Sequence, residues 1–253
     1  MLVWEVCEFL GEIISFVSGK GGTGKTSLCA GIATALAKSG KRVLCIDGDV
    51  GLRNLDIFLG ISGEEALSFL DVCNGHYPLS AAHGHPQYST LFFLTAPVNR
   101  TAEEIDPQAF SDFLQEARAA FDFVLIDGPA GINTGMRLVA EAADRCVLVT
   151  LPDPASIRCA DRTAQELEIM GLKNARMVVN RVFNEVLKAM GKNIDDLMDE
   201  VGLPLLGVVP TDPNISYAAA EGKPLLKYTH FGAAGAYKRI SKRILGLNVP
   251  ISR

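Results

Sequence analysis

The 253-residue chain is 48% hydrophobic and 21% charged, and its 24 Lys+Arg against 29 Asp+Glu give a formal net charge of −5. That balance offers no global positive field to hold duplex nucleic acid by its phosphates, so nucleic acid is an unfavoured partner. It is also too sparsely charged for a disordered chain or a long coiled coil, and no apolar run reaches the roughly 18 residues of a membrane span.

Met1 to Gly11 carry no basic leader region, which argues against a secretory signal. The first strand is predicted at Ile13–Val17, followed by a glycine-rich turn and a helix over Lys25–Lys38. A second strand follows at Val43–Asp47. Asn74–Thr90, rich in Gly, His, Pro and Ser, reads as a surface loop before a third strand at Leu91–Thr95. Next come helix Pro107–Ala119, strand Phe123–Asp127, helix Gly135–Ala142, strand Cys146–Thr150 and helix Pro154–Met170. Strand Arg176–Val179, helices Asn184–Met190 and Ile194–Val201, strand Leu205–Val209, helix Pro213–Ala220 and helix Gly232–Leu245 complete the series. Strands apolar at successive positions, separated by crossover-length helices, predict an α/β fold: a mostly parallel sheet with helices on both faces. Residues 1–253 read as one domain, with 236–253 a terminal helix and short tail.

Cys7, Cys29, Cys45, Cys73, Cys146 and Cys159 are scattered without a CxxC pair, the pattern of buried thiols in a reducing cytosol. Charge is uneven: 61–122 holds nine acids and two bases, whereas 221–253 holds seven bases and one acid. The second segment reads either as a solvated face or as a surface for an acidic partner or anionic lipid.

Gly19-Lys20-Gly21-Gly22-Thr23-Gly24-Lys25-Thr26 matches G-x-x-x-x-G-K-T between a strand and a helix, the context that motif requires. Its backbone N–H groups and the following helix N-terminus would surround phosphate oxygens, with Lys25 at the terminal phosphates and the Thr26 hydroxyl on Mg²⁺. Gly21, Gly22, Thr23, Gly24 and Ser27 complete the predicted nucleotide cradle. A magnesium-phosphate site also needs acids at strand ends. Asp127, entering Gly128-Pro129-Ala130-Gly131, has the placement of a Walker B acid, and Asp47 and Asp49 follow another strand. Lys20 is a second lysine in a loop that one lysine already serves; it is either a surface charge or a group that reaches an opposed subunit.

With Lys20-Gly21-Gly22-Thr23-Gly24-Lys25-Thr26, the chain resembles the MinD/ParA family of deviant Walker-A P-loop NTPases, and more closely its MinD branch. Thr23 stands where Val is usual, and Ser27 where a second Thr is common. Asp47-Gly48-Asp49-Val50-Gly51-Leu52-Arg53-Asn54-Leu55-Asp56 is similar to the branch's switch I, and Asp127-Gly128-Pro129-Ala130-Gly131 to switch II. Asn180-Arg181 and Pro210-Thr211-Asp212 resemble the adenine-binding region. The resemblance covers roughly residues 12 to 246.

It implies an ATP- and Mg²⁺-dependent ATPase that dimerises on ATP and acts in spatial regulation of cell division with a protein regulator. In that reading Lys25 binds phosphates in cis, Lys20 crosses the dimer interface and Asp49 positions the water. Asp127 lies near Mg²⁺ or orients switch II, while Asp47 supports Thr26 and the ion. ParA-like partition and metallocentre assembly are the alternatives; the missing CxxC counts against the latter. The family usually continues into an amphipathic lipid-binding helix, whereas here Leu247–Arg253 follow Gly246. The run Tyr237–Leu245 carries Lys238, Arg239, Lys242 and Arg243 beside Ile240, Ile244 and Leu245, which are expected to pack on the sheet. The resemblance thus implies a cytoplasmic protein, with the inner face of the membrane as a further site.

Overall fold

The computed structural model describes residues 10–50, 53–98 and 100–251. Cys7, and Gly51 and Leu52 of the predicted switch I, lie outside the described residues. The chain runs β1 (Glu12–Ser18), α1 (Lys25–Lys38), β2 (Val43–Asp47), α2 (Leu55–Leu59), α3 (Phe69–Cys73), β3 (His83–Gly84), β4 (Leu91–Leu94), α4 (Pro107–Ala120), β5 (Phe123–Ala130) and α5 (Thr134–Glu141). It continues through β6 (Arg145–Thr150), α6 (Pro154–Ile169), β7 (Ala175–Val182), α7 (Asn184–Ala189), α8 (Ile194–Val201), β8 (Leu205–Pro210), α9 (Asn214–Ala220), α10 (Leu225–Tyr228) and α11 (Gly232–Ile244).

The strands form one sheet in the order β3-β4-β2-β5-β1-β6-β7-β8, parallel throughout except for the β3·β4 pair. Its central strands are buried on both faces, which explains why they read as continuous apolar runs rather than alternating ones. One face packs Phe110, Leu114, Met136, Ile157 and Leu197 of α4, α5, α6 and α8. The other packs Leu28, Ile32, Leu36, Leu55, Tyr237 and Ile240 of α1, α2 and α11. Ile240 and Ile244 are buried there as expected, and Leu245 is partly buried against them. Among the described cysteines all five are free; Cys29, Cys45 and Cys146 are buried, while Cys73 and Cys159 are half-buried.

Two expectations change. Asn74–Thr90 is more than a surface loop: it contributes β3 to the sheet edge and buries Leu79, His85 and Tyr88. The strand predicted to end at Asp127 runs on to Ala130, because the extended chain keeps pairing with β1, Ser18 opposite Ala130. Asp127 therefore sits within a strand, in register with both Asp47 of β2 and Phe16 of β1. Because these strands are parallel, their carboxyl ends carry the predicted site residues to one end of the sheet.

Candidate nucleotide site

The turn after β1 is built by glycines where no other residue fits. Gly22 and Gly24 have φ of 78° and 84°, the left-handed region, and a Cβ on Gly24 would lie 2.3 Å from Asn180 Nδ2. That close approach has a purpose: Asn180 Nδ2 donates to the Thr23 carbonyl at 2.8 Å, fastening the loop to β7 from beneath. The Asn180 Oδ1 accepts the Arg181 N–H at 2.9 Å. Arg181 itself has φ of 52°, a conformation that costs a side-chain-bearing residue about 1–3 kcal/mol and that this bond helps to hold.

Above the loop lies a cleft of about 600 Å³, within the range of small-molecule and cofactor sites. Its floor is Gly21, Gly22, Thr23, Gly24, Lys25, Thr26 and Ser27, and Asp49 and Ala130 stand to one side. Arg181, Thr211, Asp212 and Pro213 form the opposite wall, closed by Phe58, Ile215 and Ser216. Phe58, Ile215 and Ser216 were not legible as site residues. They arrive on α2 and α9, and the only sequence signal for α2 was the short apolar run Leu55–Leu59.

The acids divide by environment. Asp127 is 1% exposed, its Oδ1 has no hydrogen-bond partner, and Lys25 Nζ stands 3.8 Å away. Burial pushes its carboxyl up to about 7; the Lys25 charge and a hydrogen bond with the Thr26 hydroxyl oppose the rise, and the Asp47 and Asp49 charges reinforce it. Asp47 is buried and accepts three backbone N–H groups: Asp49 at 3.1 Å, Asn54 at 3.0 Å and Leu55 at 3.1 Å. These bonds restrain a rise that burial drives, and they make Asp47 the post on which the loop carrying Asp49 is hung. Asp49 is half-buried in the cleft, raised by burial and lowered by Lys25.

Not every predicted residue reaches the cleft wall. Pro210 closes β8, and Asn180, Asp47 and Asp127 lie behind the wall. Asp212 lines it while tying two helices together, accepting from Asn214 N at 2.9 Å and from Ala233 N at 2.9 Å. Lys20 points elsewhere: its Nζ is 3.7 Å from Asp153 Oδ1, the N-cap of α6, with the two side chains 37% and 45% exposed. Asp153 was missed as its partner, because only the β1·β6 pairing brings together residues so far apart in sequence.

The residues fit a nucleotide with Mg²⁺. The described residues contain no cluster of three His, Cys, Asp or Glu able to hold a metal alone. A hydroxyl on Thr26, an unpartnered carboxylate oxygen on Asp127 and space for phosphates and waters are instead the donor set Mg²⁺ uses in phosphate sites.

The chain is similar to known nucleotide-binding proteins. A family model described as "CobQ/CobB/MinD/ParA nucleotide binding domain" matches residues 14–225. The septum site-determining protein MinD of Bacillus subtilis (strain 168) is 36% identical over 247 residues, covering 96% of this chain and 92% of that protein. A chain of the MinC:MinD cell division protein complex of Aquifex aeolicus superposes with a TM-score of 0.88 at 35% identity, covering 96% of this chain and 99% of the other. The septum site-determining protein MinD of Pyrococcus horikoshii OT3, complexed with Mg-ADP, gives 0.80 at 29% identity, covering 93% and 96%.

Proposed function

The chain belongs to the MinD/ParA family of deviant Walker-A ATPases and is a MinD-type ATPase of septum placement; on that premise we propose that it hydrolyses Mg²⁺-ATP within a homodimer that ATP closes. The observation that carries the reading is the meeting of Lys25, Thr26 and Asp49 at one cleft floored by left-handed glycines, with the buried Asp127 against Lys25 behind it.

Lys25 binds the terminal phosphates from a buried position, where exclusion of water strengthens its attraction for them. The Thr26 hydroxyl, with the Asp127 carboxylate close to it, would hold Mg²⁺, which would supply positive charge to the phosphates. Asp49, at the cleft wall on a loop anchored by Asp47, orients the attacking water. Arg181, Asp212 and the apolar side of Phe58 and Ile215 receive the base end, with Asn180 holding the loop from below and Pro210 placing Asp212 at the end of β8.

Lys20 supplies charge to the partner's site. To do so it leaves Asp153, and the cost is small because ion pairs this exposed contribute roughly 0–1 kcal/mol. Its release couples hydrolysis to dimer closure, which also excludes water from the phosphates.

The similar Aquifex aeolicus chain comes from a MinC:MinD complex, which supports a protein regulator as a partner of this chain as well. No described helix is long and apolar enough to cross a membrane. The protein acts in the cytoplasm, and peripheral contact with the inner face of the membrane is supported by the basic residues of α11. Arg243 is not free for that contact, since it donates to the Leu206, Val249 and Pro250 carbonyls.

The test is mass measurement by light scattering with Mg²⁺-ADP and with Mg²⁺-ATP, alongside phosphate release. The reading expects monomer with ADP, dimer with ATP and Mg²⁺-dependent release. Equal mass in both nucleotides together with no release would overturn it.

A further inference from the structure

The last turn of α1 meets α10 and α11 around a second cavity of about 300 Å³. Its floor is apolar, formed by Ala35, Leu226 and Leu245, and its rim carries Lys38, Lys238 and Lys242. Among the described residues the lysine ion pairs involve Lys20, Lys25, Lys41, Lys192 and Lys223, so none of these three has a carboxylate partner. The Lys238 ammonium group stands 3.3 Å from His230 Nδ1.

Lysines in the last turn of a helix ordinarily answer its dipole, and Lys38 and Lys242 occupy such positions in α1 and α11. Two helix ends supply about −0.5 charge each, roughly −1 together. Three ammonium groups exceed that by about +2. Burial and the neighbouring Lys38 charge both lower the Lys238 pKa, as expected where cations are gathered without compensation. Ser39 and Ser241 also line the cavity, but their hydroxyls donate to the Leu36 and Lys238 carbonyls, so the donors on offer are the ammonium groups.

We propose that the cavity between α1, α10 and α11 binds a dianionic oxyanion of the phosphate-monoester class through Lys38, Lys238 and Lys242, with the ester's carbon portion on the Ala35, Leu226 and Leu245 floor. The excess of about two positive charges matches such a group, and ammonium-phosphate hydrogen bonds are the strong, charge-assisted kind. The site is separate from the nucleotide cleft, at the opposite end of α1, and the assignment does not rest on the ATPase reading.

The experiment uses the full chain saturated with Mg²⁺-ADP, so that the phosphate loop is filled, and titrates glycerol 3-phosphate by calorimetry. Saturable binding is expected, weakened about tenfold by Lys38→Gln or Lys238→Gln, the change one lost charge-assisted contact of about 1.4 kcal/mol produces. It should be partly restored by Lys238→Arg and unaffected by Arg239→Gln on the same helix. Vesicles containing phosphatidic acid or an equally charged phosphodiester lipid identify the source. Preference for phosphatidic acid that Lys238→Gln removes assigns a lipid headgroup, and soluble binding without vesicle preference assigns a free ester; both support the proposal. Binding that does not saturate, an equal loss in Arg239→Gln, or tighter binding of a short DNA duplex to the same lysines would overturn it. Mg²⁺-ADP affinity measured on each variant separates loss of this site from damage to the cleft.

Discussion

Replacing Asn180 tests how the phosphate loop is held. Asn180 is 1% exposed and satisfies two backbone groups at once, accepting from the part-buried Arg181 N at 2.9 Å and donating to the buried Thr23 carbonyl at 2.8 Å. Asn180→Ala leaves both groups without these partners; at about 1–3 kcal/mol for the buried Thr23 carbonyl and about 1 kcal/mol for the part-buried Arg181 N–H, the expected loss of stability is about 3 kcal/mol. The loop also loses its anchor, so Mg²⁺-ADP affinity should fall about tenfold or more. Asn180→Asp is the sharper variant. It retains an acceptor for Arg181 N but turns an oxygen toward the Thr23 carbonyl, so near neutral pH it should be at least as damaging as Ala. At acid pH the protonated carboxyl can donate where the amide did, and stability should recover toward wild type. Urea unfolding and fluorescent-nucleotide titration at pH 5 and pH 8 measure both effects. Variants within about 0.5 kcal/mol of wild type with unchanged affinity, or an Asp variant indifferent to pH, would refute the anchoring argument.

Two further outcomes follow from buried groups. Asp127 has a folded value of about 7, above that of an unfolded carboxyl, so the folded chain binds the extra proton and loses stability as pH rises from about 4 through 7. Three units correspond to at most about 4 kcal/mol, so Asp127→Asn should gain on wild type at pH 8 and converge with it near pH 4; parallel unfolding curves would contradict the shift. Gly31→Ala improves helix propensity by about 1 kcal/mol but places a Cβ 2.0 Å from the fully buried Tyr237 ring, so the net effect should be destabilisation by about 2 kcal/mol in urea. A stabilised variant would show that α11 can move away from α1 at little cost.

The parts of the fold legible in sequence were those whose physics is local. The phosphate loop is a short pattern with its own strand and helix, and β1, β2, β5 and β6 announced themselves as branched apolar runs because both sheet faces are covered. Helices α2, α3 and α10 have five, five and four residues, too few turns to display a 3.6-residue period. Strand β3 is two residues long and is held by an antiparallel partner rather than by its own pattern. Gly128-Pro129 read as a turn because those residues favour turns, yet they continue β5: Gly128 fits where a Cβ would lie 2.8 Å from the Phe16 carbonyl. The site was legible as a set of residue types but not as a set of contacts. Asn180 belongs under the loop and Lys20 meets Asp153 because sheet order brings together segments distant in sequence, whereas Asp47 is engaged by backbone N–H groups of the turn that follows it, a local fold that its residue types do not announce.

The most direct test of a composite site closed by a second copy is phosphate release from mixtures of Lys20→Ala and Asp49→Ala chains, with subunit exchange verified by fluorescence transfer. Each variant alone should bind ATP and release little phosphate. In the hybrid, one site combines an intact Asp49 with the neighbour's intact Lys20, and the other has neither, so release should rise above both parents and peak near equal mixing. Verified hybrids with no release above either parent would contradict the account, because a Lys20 acting on its own chain's phosphates leaves both hybrid sites defective.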